Sequence, residues 1–154
     1  MARAPIPSFY FALVVVRRSD EFLLVHERKH GQLWYLPAGR VEAGESFQSA
    51  AERETLEEGG IQIRVNGIVR VEHTPSDVYT RVRVIFTGEP LDDTPPKQVA
   101  DDESLGAAWV KVKDLGRYPL RGTEVKDLLE YVEDGAPIYP VELIQLESAP
   151  YREA

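Results

Sequence analysis

Glu54, Glu57 and Glu58 stand at i, i+3 and i+4 within Ser46–Glu58, a stretch that reads as a helix. On a helix, that spacing crowds three carboxylates onto one face within a turn. Like charges so placed repel, each pair costing about 0.2–0.5 kcal/mol in an isolated helix. They also fall in the last turn, where the helix dipole disfavours anions. The arrangement calls for a compensating partner, and a hard divalent cation, which takes oxygen ligands, is the obvious one. Arg53 offsets part of the charge by reaching Glu57 at i+4 or a loop carboxylate such as Glu45. Alone, the triad is also the pattern of a solvated acidic helix face.

The preceding loop narrows this choice. Pro37-Ala38-Gly39 is followed by Glu42, Gly44 and Glu45, a glycine-rich turn with more carboxylates at the start of the same helix. Gly39, five residues, Glu45, seven residues and then Arg53-Glu54-Thr55-Leu56-Glu57-Glu58-Gly59-Gly60-Ile61 make up a 23-residue pattern. It resembles the Nudix box, G-x5-E-x7-R-E-U-x-E-E-x-G-U with U aliphatic, and matches it at every glycine and charged position. Thr55 is the one departure, at a position where an aliphatic side chain would pack the helix onto the sheet.

The resemblance to Nudix hydrolases implies an α/β fold: an α/β/α sandwich with a mixed sheet and the box as a loop–helix unit. It makes Glu54, Glu57 and Glu58 ligands of Mg²⁺ or Mn²⁺, with a backbone carbonyl at Ala38 or Gly39 as a further one. Gly39, Glu45 and Gly60 become structural box positions, and Arg53 orients a ligand carboxylate. The general base is expected among Glu54, Glu58 and Glu103, the last just before a strand. Glu72 reads as a solvated strand residue.

The implied activity is hydrolysis of a phosphoanhydride in a nucleoside diphosphate derivative, an oxidised nucleoside di- or triphosphate included. A pyrophosphate is polyanionic; metal ions neutralise it, orient it and activate water, and a carboxylate accepts the proton. Nucleotide-sugar or ADP-ribose pyrophosphatase is the alternative within the family, and a non-catalytic Nudix-fold nucleotide sensor the alternative from another class. Leu33–Arg40, Glu103–Trp109 and Pro119–Arg121 resemble the family's 8-oxo-guanine nucleoside diphosphatases. On that likeness Tyr35, Arg40 and Tyr118 are candidate substrate contacts. Trp34 and Trp109 read as core aromatics or base-stacking platforms, and Arg81 and Arg83 as phosphate contacts or a solvated strand face.

The elements that must position these groups are legible in outline. Phe9–Arg17 and Glu21–Glu27 are apolar, β-branched-rich runs joined by a short turn, and Leu33–Leu36 is a third strand stopped by Pro37. Gly39–Gly44 reads as a loop, and Ser46 and Gly59-Gly60 as start and stop signals of the first helix. Strand-like runs follow at Ile61–Val65, Gly67–Thr74 and Tyr79–Thr87, with Val82, Val84 and Phe86 on one face and Arg81, Arg83 and Ile85 on the other. Glu89–Ser104 is a long loop, Leu105–Val112 a strand and Thr123–Val132 an amphipathic helix. Val141–Leu146 is a late strand or a packing arm that either mediates a homodimer or stays on its own domain. The order predicts a mixed sheet covered by helices, with residues 1–7 an arm, 8–147 one domain and 148–154 a tail.

Composition removes other classes. Of the 154 residues, 26 are acidic and 18 basic, a net charge of −8 that argues against phosphate-driven nucleic-acid binding. Six acids and two arginines fall between Gly39 and Ile61, and six acids with one lysine between Glu89 and Glu103. With no cysteine there is no disulfide and no thiolate nucleophile, and His26, His30 and His73 are too scattered for a zinc cage. The longest apolar run, Phe9–Val16, is far below the roughly 20 residues that span a bilayer. A cytoplasmic location with a small-molecule nucleotide as partner is the expectation.

Overall fold

The computed structural model describes residues 3–153; Met1 and Ala2 of the expected arm and Ala154 of the expected tail lie outside the described residues. Seven strands and two α-helices follow in the order β1 (Ser8–Arg18), β2 (Glu21–His26), β3 (Trp34–Tyr35), β4 (Ala38–Arg40), α1 (Phe47–Gly59), β5 (Ile63–Pro75), β6 (Thr80–Pro90), β7 (Gly106–Lys111) and α2 (Glu124–Glu133). The strand order is β3-β2-β1-β6-β5, with β4 also paired to β1 and β7 to β2. β1 and β6 run parallel, and the other pairs are antiparallel, so the sheet is mixed.

β1 is the hub. Its side chains alternate between two cores, with Leu13 and Val15 in one and Ala12, Val14 and Val16 in the other. A strand buried on both faces reads as an unbroken apolar run, which is why Phe9–Val16 is so hydrophobic. The first core also takes Val125, Leu128, Leu129 and Val132 from α2, the four positions expected to face inward. The second takes Ala50 and Ala51 from α1 and Val84 and Phe86 from β6. Ile85 belongs to the opposite core, so the alternation predicted for this strand holds. Each helix covers one face of the sheet, giving the α/β sandwich.

The structure corrects several boundaries. Gly39 lies in β4, not in a loop: Phe11, Ala12 and Leu13 pair with Arg40, Gly39 and Ala38 on the edge that β1 leaves free once it diverges from β2. Three residues are too few to show a strand period. The runs read as Ile61–Val65 and Gly67–Thr74 form one strand, interrupted by register shifts at Val65/Gly67 and Ile68/Arg70. Val141–Leu146 is a packing arm. It begins with a 3₁₀ turn, Val141–Leu143, and Val141 and Ile144 pack on the α1-side core. No helix among the described residues is long and apolar enough to cross a membrane.

Helix α1 begins and ends where its signals stand. Ser46 Oγ accepts from the Ser49 N–H at 3.1 Å, and Gly60 adopts φ +74° with its N–H donating to the Leu56 carbonyl. Thr55 is fully buried, and its hydroxyl donates to the Ala51 carbonyl at 2.8 Å. That carbonyl is also the regular helical acceptor of the Thr55 N–H, so removing the hydroxyl orphans nothing. Thr55→Val should therefore stay within about 1 kcal/mol of wild type in urea unfolding. A loss beyond about 2 kcal/mol would show that the hydroxyl is structurally required.

Candidate active site

The box is assembled around one guanidinium. Arg53 grips Glu45 through both Nε (2.7 Å) and Nη2 (2.9 Å), and the same Nη2 donates to the Arg40 carbonyl at 3.1 Å. Its Nη1 donates to Glu54 at 2.9 Å and Glu57 at 3.1 Å. One planar cation thus ties the loop to the helix and separates two of the three crowded carboxylates. The bidentate bond from Arg53 holds the Glu45 carboxyl below its ordinary value. Glu45 also accepts from the Glu42 N–H at 3.1 Å, which closes the loop on itself.

Gly39 is notable for a close approach, not for its own backbone angles. A side chain there would run into the Glu54 carboxylate. Glu54 is nearly covered, and burial pushes its carboxyl up despite Arg53. Glu58 accepts from the Ala38 N–H at 2.9 Å, and burial, opposed by that bond, pushes its carboxyl up to about 8. Among the described residues no three acidic or histidine side chains converge into a ready-made metal cluster. Glu54 and Glu57 turn to Arg53, and Glu58 to the backbone of β4.

The C-terminal turn of α1 is closed by residues that the sequence analysis does not single out. The last four carbonyls of a helix lack partners within it. Here Leu56 O accepts from the Gly60 N–H, Gly59 O from the Lys97 N–H at 2.8 Å, Glu57 O from Lys97 Nζ, and Glu58 O from Ser104 Oγ at 2.6 Å. Lys97 also pairs with Asp101 at 2.7 Å, and that contact holds the Asp101 carboxyl down to about 2. The signal was available: Lys97 is the lone lysine of the acidic Glu89–Glu103 segment. A cation at a helix C-terminus is favourable, doubly so where three glutamates share that end.

Beside the box lies a cavity of about 290 Å³. Its lining brings Gly39, Glu58 and Glu103 together with Arg81, Arg83 and Arg121. Two of these arginines, Arg83 and Arg121, are tied back by carboxylates. Arg83 donates from Nε to Glu72 at 2.7 Å and from Nη2 to Glu124. Glu72 is therefore not solvated, because Arg83 faces it across the β5–β6 pair. Arg121 donates to both oxygens of Glu27, at 3.0 and 3.2 Å, and lies 4.1 Å above the Tyr35 ring.

The substrate contacts expected from the sequence fare unevenly. Tyr35 lines the cavity, but it is only 3% exposed, and its hydroxyl donates to Glu124 at 2.9 Å. Burial, reinforced by Glu124, pushes that phenol up to about 12. With Arg121 covering it, its ring is no open stacking platform. Tyr118, partly buried, packs edge-on against Trp34 at the margin of the α2-side core and does not line the cavity. Arg40 turns outward over Phe9 and does not line the cavity either. Trp34 stacks on His26, and Trp109 packs on the α1-side core. These misplacements share a cause: strand parity gives the face a side chain takes, not which neighbour covers it.

Two substitutions test this geometry. Gly39→Ala should push the Glu54 carboxylate off Arg53 and cost about 1.5–3 kcal/mol for the charged hydrogen bond lost, read in urea unfolding; unchanged stability would mean that Glu54 is free to move. Arg53→Lys keeps the charge but loses the fork, and should cost about 1.5–3 kcal/mol for the charged hydrogen bonds lost. A neutral result would deny Arg53 its tying role.

A model of the NUDIX domain matches residues 9–133. The chain is 37% identical over 121 residues to the human 8-oxo-dGDP phosphatase NUDT18, covering 76% of this chain and 36% of that protein. It is 36% identical over 110 residues to a putative 8-oxo-dGTP diphosphatase of Bacillus subtilis (strain 168), covering 71% and 68%. The chain spans only about a third of the length of the first curated relatives it matches. Among solved structures, a NUDIX hydrolase from Nitrosomonas europaea superposes with a TM-score of 0.75 at 27% identity, covering 91% of this chain and 97% of that one. With the box assembled as its spacing requires and the domain match spanning most of the chain, this protein belongs to the Nudix family.

Proposed function

We propose that the protein is a divalent-cation-dependent hydrolase that cleaves a phosphoanhydride bond in a nucleoside diphosphate derivative, with oxidised guanine nucleotides the first class to test. The observation that carries this reading is one cavity whose lining joins the box carboxylate Glu58, Glu103 and the β4 residues Ala38 and Gly39 to three arginines, Arg81, Arg83 and Arg121. The relatives named for 8-oxo-dGDP and 8-oxo-dGTP support the substrate class.

The donor set fits a hard cation. It is all oxygen, on Glu54, Glu57, Glu58 and the carbonyl of Ala38 or Gly39, and burial disfavours the charge of Glu54 and Glu58 unless a counter-charge is near. When bound, Mg²⁺ or Mn²⁺ neutralises the diphosphate and lowers the pKa of an attacking water. Arg53 sets the orientation of Glu54 and Glu57, and the Ala38 N–H that of Glu58. Glu103 is the proton acceptor in this reading. It lines the cavity, and its carboxylate makes no ion pair among the described residues, while its own N–H is turned onto Asp101 at 2.9 Å. A carboxylate exposed to the cavity and unpaired is free to take a proton from water.

The test is a Mg²⁺ and Mn²⁺ panel of 8-oxo-dGDP, 8-oxo-dGTP, GDP, GDP-mannose and ADP-ribose. Turnover of an oxidised guanine nucleotide is expected; turnover of GDP-mannose or ADP-ribose alone would move the protein to the nucleotide-sugar or ADP-ribose class. Glu57→Gln should lower kcat by orders of magnitude with the melting temperature unchanged, and near wild-type rates would sink the ligand assignment. Glu103→Gln should lower kcat about 10²–10⁴-fold with little change in KM. Tight nucleotide binding without turnover would point to the sensor reading.

A further inference from the structure

Five cationic side chains line the cavity: Arg28, Lys29, Arg81, Arg83 and Arg121. Arg83 and Arg121 are neutralised by Glu72, Glu124 and Glu27, and removing either would strand carboxylates in the wall. Arg28 and Lys29 sit on the exposed β2–β3 loop, and Arg28 donates to the Asp101 carbonyl at 2.9 Å. Arg81 differs from all four. It is half-buried on β6 and makes no ion pair among the described residues, and its Nε is shut from solvent with no hydrogen-bond partner. Its guanidinium lies 4.5 Å above the Phe11 ring. Stacking on an aromatic ring positions a guanidinium but leaves its in-plane donors unsatisfied. A half-buried guanidinium with no counter-charge, and with one N–H shut from solvent and acceptors alike, bears part of its desolvation penalty uncompensated.

We propose that Arg81 is the cavity's phosphate anchor: held flat on Phe11, it takes non-bridging oxygens of the substrate phosphate farther from the box glutamates. The proposal rests on the reading of this cavity as the substrate site. Register supports the placement. Phe11 pairs with Arg83 of β6 on one side and Arg40 of β4 on the other, so the Arg81 guanidinium overlies the strand next to the one carrying Ala38 and Gly39. Neighbouring strands lie roughly 4.8 Å apart, so a diphosphate can turn one phosphate to the box and the next to Arg81. The terminal nitrogens of the planar guanidinium suit phosphate oxygens, which would bring the missing counter-charge.

The experiment is calorimetric binding, with Mg²⁺, of three non-hydrolysable probes: methylenediphosphonate, α,β-methylene-GDP and α,β-methylene-ADP. Wild type should bind all three, and Arg81→Gln should weaken each by a similar factor, about 10- to 100-fold, the worth of a charged hydrogen bond. Arg81→Lys, which keeps the charge and loses the fork, should fall between. It also carries the test if the glutamine variant melts early. Arg117→Gln, on a side chain 80% exposed beside Asp114, should bind as wild type. Unchanged binding of methylenediphosphonate by both Arg81 variants would overturn the proposal, as would a loss confined to the guanine analogue, or a wild type that binds no diphosphonate. Arg81-dependent binding by a wild type that hydrolyses nothing in the substrate panel would keep the anchor and remove the hydrolase reading.

Discussion

Three glutamates in the last turn of one helix set the electrostatic problem that the rest of this structure answers. Their mutual repulsion and the helix dipole act in the same unfavourable direction. Two cations answer from opposite ends of the box. Arg53, on the helix itself, spreads one guanidinium over Glu45, Glu54 and Glu57. Lys97, forty residues from Glu57 in sequence, caps the helix from a loop. Neither is a freely solvated surface pair of the kind that contributes little. The Arg53 and Lys97 side chains are 23% and 11% exposed.

The same contacts couple the box to the cavity. Lys97 and Ser104 bind the carbonyls of Glu57, Glu58 and Gly59, so the loop that carries Glu103 is docked on the turn that carries the box glutamates. Fixing the C-terminal turn of α1 therefore also fixes where Glu103 meets the cavity. The cavity residues Arg83 and Tyr35 are held by a second set of pairs, from Glu72 through Arg83 to Glu124 and Tyr35. That chain joins β5, β6, α2 and β3, and leaves Arg81 a half-buried cavity cation with no ion pair among the described residues.

Much of this was legible in the residues. Ser46 and Gly60 bounded α1 because capping is decided by a residue's own hydroxyl or by its tolerance of positive φ. The apolar positions of α2 and the alternation of β6 followed from periods of 3.6 and 2. The residues offered Arg53 either Glu57 or Glu45 as a partner, and the structure pairs it with both. Local rules failed where pairing was non-local. β4 exists because β1 offers it a free edge, and β5 runs on through Asn66 because bulges absorb the register shift.

The sequence by itself determined the charged helix, its caps, the faces of the strands and the family, because those depend on groups within a few residues of one another. Tertiary structure decided which charges meet. It closed the helix with Lys97 and Ser104, hid Tyr35 behind Arg121, packed Tyr118 on Trp34 at the margin of the core, paired Glu72 with Arg83 and, among the described residues, left Arg81 without an ion pair. Each of those outcomes depends on which strand or loop is brought alongside, and on how far burial strengthens or penalises a charge there. Spacing along a chain carries no record of either.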